Sequence, residues 1–105
     1  MRVMMRVNMA TEPANEAAKN GTLSTKIQEI LAIMKPEAAY FSEEDGERTA
    51  YIVFDMKDSS ELPGVAEPWF LAFNARLTVR PAMTPQDLGN AAHGFKQAVE
   101  KFGKG

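Results

Sequence analysis

The chain of 105 residues contains no cysteine, and it has one histidine and one tryptophan. Without thiols there can be no disulfide, no thiolate metal ligand and no cysteine nucleophile. A lone histidine with no acids clustered around it falls short of the three or four donors that a transition-metal site draws, so neither a metal nor a cofactor is expected. Also missing are a glycine loop to cradle phosphate, a nucleophile elbow and a Walker-type lysine. The formal net charge is −2 and the Lys and Arg residues are scattered. Such a chain lacks the basic face that a phosphate backbone requires, which argues against a nucleic-acid partner. No apolar run approaches the ~20 residues that span a bilayer. Arg2 and Arg6 interrupt the hydrophobic start where the core of a signal peptide would lie. The expectation is a cytoplasmic protein with no membrane partner.

What is present is ordinary in bulk and informative in pattern. With 45% hydrophobic and 25% charged residues the composition is that of a soluble domain. One domain over residues 1–105 is expected, burying roughly 65% of its unfolded surface, so a core needs no staples. Two segments, Arg2 to Met9 and Arg76 to Met83, alternate strand-fashion and match each other. In the first, Val3, Met5, Val7 and Met9 point one way and Arg2, Met4, Arg6 and Asn8 the other. In the second, Leu77 and Val79 oppose Arg76, Thr78 and Arg80. Period-2 alternation gathers the arginines on one face of each strand.

Between them lie a helix whose stripe is Leu23, Ile27, Ile30, Leu31 and Met34, and two β-rich runs, Glu37 to Ser42 and Arg48 to Met56. Thr11-Glu12-Pro13 reads as an earlier helix start, interrupted at Asn20-Gly21. Asp45-Gly46 supplies hairpin turn chemistry, and the acidic run Glu43 to Glu47 reads as a solvated turn. Asp58 to Ser60 can cap a helix that buries Leu62, Ala66, Trp69 or Phe70, and Phe73. Pro68 should kink that helix or mark its true start. Thr84-Pro85-Gln86-Asp87 combines an N-cap, a first-turn proline and an acid, and opens a last helix with a stripe of Leu88, Ala91, Ala92, Phe95, Val99 and Phe102.

Right-handed crossovers turn this order into an α+β, ferredoxin-like βαββαβ unit plus a last helix. Its four-stranded antiparallel sheet has strand order 4-1-3-2 and both crossover helices on one face. The other face, with Met4, Val53, the tyrosines and several charges, is too mixed to be left in water. It should pack on a copy of itself, making a homodimer.

Ala66 to Ala75 (Ala-Glu-Pro-Trp-Phe-Leu-Ala-Phe-Asn-Ala), followed by Arg80 to Leu88 (Arg-Pro-Ala-Met-Thr-Pro-Gln-Asp-Leu), resembles a small family of uncharacterised bacterial and archaeal proteins in the dimeric α/β-barrel superfamily. The resemblance covers essentially the whole chain. It implies two ferredoxin-like subunits packed sheet to sheet around a cavity. It does not choose an activity, since relatives include haem-degrading monooxygenases, other oxygenases, cyclases, isomerases and ligand-sensing domains.

Arg6 and Arg80 should lie on adjacent strands of the barrel face, where like charges repel unless something negative sits between them. That could be Asp55, a glutamate of the second subunit, or a bound carboxylate or phosphate, which guanidinium forks suit. A structural ion pair is the simpler of these readings. The candidate cavity lining is Arg6, Asn8, Tyr51, Asp55 and Arg80, around a small anionic or aromatic organic ligand. Tyr40 and Tyr51 read first as interface filler. Trp69 fills the space between helix and sheet, and His93 should face solvent or the partner subunit. The haem-degrading members are similar in placing an asparagine on the first strand and a tryptophan on the second helix, as Asn8 and Trp69 do. Their iron-binding histidine precedes the last strand whereas His93 follows it, so haem degradation is not expected. Two other classes stay open beside the ligand-binding module: a cofactor-independent monooxygenase or isomerase, and a purely structural dimer.

Overall fold

The structure, a computed structural model, describes residues 1–104. Four strands, β1 (Arg2–Asn8), β2 (Ala38–Glu44), β3 (Glu47–Asp55) and β4 (Arg76–Pro81), form one antiparallel sheet in the order β2-β3-β1-β4. This is the ferredoxin-like arrangement expected. The alternating pattern fixes the register, because a slip of one residue would turn the whole apolar set to the wrong side. Arg6 therefore lies opposite Tyr51 on β3 and Thr78 on β4, and Met4 opposite Val53 and Arg80.

Val3, Met5 and Val7 of β1, and Ala50, Ile52 and Phe54 of β3, are all buried against the helices. The first crossover holds two helices, α1 (Thr11–Lys19) and α2 (Leu23–Met34), separated where Gly21 takes a φ of +80°. From them Ala14, Ala17, Ile30 and Met34 enter the core. Lys35 closes α2 in the left-handed region, directly before Pro36, which cannot continue a helix.

Asp58 caps a 3₁₀ turn, Ser59–Glu61, that leads into α3 (Leu62–Phe73). Pro68 does not mark the start of the helix, since α3 runs through it from Leu62. A proline inside a helix costs about 3 kcal/mol. The residues around it recover that cost, because Ala66, Trp69 and Phe73 are buried, with the two rings 6.2 Å apart. The choice between Trp69 and Phe70 is also resolved: Trp69 is wholly buried while Phe70 and Leu62 stay partly exposed.

The β2–β3 connection is tighter than expected. Asp45 and Gly46 both have positive φ, 54° and 79°, making a two-residue turn that matches strand twist, so Glu44 and Glu47 become strand residues. The last helical segment differs more. Thr84 is the expected N-cap and forms a capping box with Asp87, but the helix breaks at Ala91 into α4 (Pro85–Asn90) and α5 (Ala92–Phe102). The apolar stripe is also unburied, with Phe95, Val99 and Phe102 all exposed. Its apolar spacing is real, but the chain alone offers nothing to bury it.

Candidate functional site

The helix-free side of the sheet collects the alternate residues of all four strands. Across its middle runs the row Tyr40, Tyr51, Arg6 and Thr78, set by the strand register. Arg6 donates from Nη1 to Glu44 Oε1 at 3.1 Å and from Nη2 to Thr78 Oγ1 at 3.2 Å, and the Tyr51 hydroxyl donates to Glu44 Oε2 at 2.9 Å. One carboxylate on β2 thus ties a guanidinium on β1 to a phenol on β3. The Arg6 Nε is buried without an acceptor among the described residues. Hydrogen bonding to Glu44, with desolvation and the Glu44 charge adding to it, pushes the Tyr51 hydroxyl above its ordinary range. Tyr51 is held protonated and serves as a donor rather than a base.

This corrects the expected partner of Arg6. The acid is Glu44 of the same chain, and not Asp55, which accepts from the Met1 amino group at 3.0 Å. The reason lies in the turn: with only Asp45 and Gly46 between the strands, Glu44 and Glu47 face each other across the hairpin. Both project on the open face, where Glu44 pairs with Arg6 and Glu47 with Arg76. Sequence reasoning missed Glu44 by assigning the acidic run to solvent. The signal was there, since a two-residue Asp-Gly turn extends both strands by period 2 to that face. Arg2 is tied to Glu37 at 2.6 Å, whose hydrogen bond and charge raise the guanidinium still further.

Arg80 lies on the same face, opposite Met4 on β1, is exposed, and forms no ion pair among the described residues. Of the five candidate lining residues, the structure brings Arg6 and Tyr51 together through Glu44. Arg80 stands one row away on the next strand, and Asp55 sits at the sheet's end on the Met1 amine. Asn8 is buried and donates to Thr49 Oγ1 at 3.0 Å. Asn8 belongs by alternation to the open face whereas Trp69 packs under the helices, so these two are not parts of one pocket. His93 is exposed on α5. Among the described residues no cluster of acids and histidine could hold a metal.

Two concavities lie at the sheet's edges. One of about 420 Å³ lies between α2 and β2, lined by Leu23, Ser24, Ile27, Gln28, Leu31 and Phe41. Another of about 460 Å³ lies between α3 and β4 and includes Leu62, Glu67, Phe70, Leu77 and Val79. Among the described residues no helix is long and apolar enough to cross a membrane.

No protein-family model matches the chain, and no curated protein matches it. Among solved structures it is similar to a de novo designed protein called Ferredog-Diesel, at 16% identity and a TM-score of 0.48, over 77% of this chain and 85% of that one. It is also similar to a Deinococcus radiodurans protein whose description places it provisionally among the antibiotic biosynthesis monooxygenases. There the identity is 14% and the TM-score 0.42, over 80% of this chain and 94% of that one.

Proposed function

We propose that residues 1–105 form one domain that dimerises through the open sheet face and encloses a small organic anion, carboxylate or phenolate, between the two sheets. Arg80 and Arg6 supply the charge and Tyr51 a hydroxyl donor, with Asn8 and Asp55 at the margin of the same surface. In this reading the chain sits with the uncharacterised dimeric α/β-barrel family that its Ala66 to Ala75 segment resembles. The observation that carries the proposal is the uncompensated Arg80 guanidinium beside a face that also exposes Met4, Tyr40 and Tyr51. A surface of arginine among aromatic and thioether groups suits a planar anion, whose charge takes the fork and whose ring takes the apolar side chains.

Benzoate provides a direct test. Titrated into the labelled chain, it should shift the Arg80 and Arg6 side-chain NMR signals together, and Arg80→Ala should weaken its binding by about tenfold or more, the loss of one charge-assisted contact. If both arginines ignore benzoate and inorganic phosphate alike, the face is a structural seam and the binding role fails.

A further inference from the structure

The helix α5 (Ala92–Phe102) buries none of its residues. Phe95, Val99 and Phe102 are 59%, 62% and 84% exposed although they fall on one helical face. A helix of 11 residues is marginal in water without a packing partner. The chain is also drawn out around this element, with extents of 59 × 29 × 21 Å and a radius of gyration of 17.5 Å, against about 13 Å for a compact domain near this length.

We propose that α5 is an exchanged arm: its apolar stripe docks in the groove between α2 and β2 of a second copy of this chain. The inference rests on the sheet-face dimer proposed above and extends it. Charge and reach together choose the groove. The arm and the residues after it carry Lys96, Lys101 and Lys104 against the single Glu100. The α2–β2 groove ends at Phe41, beyond which Glu43 on β2, with Arg48 opposite it, and Asp45 in the β2–β3 turn form no ion pair among the described residues. The rival groove between α3 and β4 offers the single acid Glu67 in its lining, and Arg76 and Arg80 of its strand lie on the sheet's other face.

Topology supplies the reach. β4, which feeds the arm, and β2 are opposite edges of the sheet, so an arm must cross the whole sheet to reach its own α2–β2 groove. When two such sheets pack face to face about a two-fold axis parallel to the strands, β4 of one lies over β2 of the other, about 10 Å away. From that edge, an α5 roughly 16 Å long can lie along the second copy's groove.

The native chain has no cysteine, so a Ser24→Cys/Val99→Cys double variant carries only the two probing thiols. Mild oxidation should convert most of it to a covalent dimer, while each single variant stays largely uncrosslinked. Adding Glu43→Lys and Asp45→Lys should slow linkage by about two- to fivefold, the range of exposed ion pairs, and Lys96→Glu with Lys101→Glu should restore it. An internally closed monomer would overturn the proposal. Sedimentation of the unaltered chain separates the two readings: a dimer whose double variant does not link overturns the arm and spares the sheet-face reading, whereas a folded monomer overturns both. Binding of the native chain to phosphatidylcholine vesicles containing phosphatidylserine, lost in Phe95→Asp and with no linkage formed, would assign the arm to a lipid surface instead and equally overturn the proposal.

Discussion

The two faces of the sheet are built by the same strands, read at alternate residues, yet they obey different rules. The covered face is a dry apolar layer of Val3, Met5, Val7, Ile52, Phe54, Trp69 and Phe73, all almost wholly buried. The open face holds Arg2, Arg6 and Arg76, paired with Glu37, Glu44 and Glu47 through contacts that solvent still reaches, beside Arg80, which forms no ion pair among the described residues. Burial area determines the first and specific pairing the second. The difference teaches that apolar burial and polar pairing are separable here residue by residue, because neighbours in sequence serve opposite sides.

The strongest way to sharpen that contrast is Trp69→Ala. Removing a fully buried indole should cost about 3–5 kcal/mol, read as a lowered midpoint in urea unfolding, and a change under 1 kcal/mol would break the picture of a close-packed covered face. On the open face, Arg6→Glu sets a second carboxylate against Glu44 and deprives Thr78 of its guanidinium donor. It should cost roughly 1–3 kcal/mol and split the proposed dimer in sedimentation far more than Lys26→Glu on the helix surface, since it places a wrong-sign charge in a partly desolvated seam.

Tyr51→Phe is milder. It removes one donor from Glu44 at an exposed site, so about 0.5 kcal/mol of stability is expected to go, while benzoate affinity falls by more than stability does. Equal losses would merge the two faces' roles. His93→Ala should change stability by no more than about 0.5 kcal/mol, and His93 ring NMR signals that ignore benzoate would keep it outside the site. The least effect is local and pH-dependent. Hydrogen bonds from the backbone and side chain of Thr84 hold Asp87 below the usual carboxylate value of 3.8, and those from Ser60 do the same for Asp58. With folded values depressed, the caps contribute fully above the unfolded aspartate range and are lost as pH falls through the folded values. Amide exchange at Thr84 and Ser60, whose N–H groups donate to these carboxylates, should therefore quicken only in acid below about 3.8, with the sheet amides unmoved.

The architecture was legible because strand alternation is a strong constraint: the arginine pairs of β1 and β4 and the apolar residues between them already imply the sheet order and its two faces. The Thr84 and Asp58 caps were readable for the same reason, each being a local hydrogen-bond pattern written in neighbouring residues. Pro68 misled because a local cost was weighed without the buried Trp69 and Phe73 that offset it. Glu44 was missed because pairing across strands depends on the length of a turn, and a shift from five residues to two moves a glutamate from solvent onto the site. The exposure of α5 could not be read at all, since an amphipathic stripe looks the same whether its own chain or another covers it.

Native mass spectrometry of the freshly purified protein tests most directly the claim that the open face joins two chains around a small anion. The account predicts two chains with one or two retained molecules of a few hundred daltons at most, and loss of that mass in the Arg80→Ala variant with the dimer preserved. A folded single chain at micromolar concentration carrying nothing would contradict it.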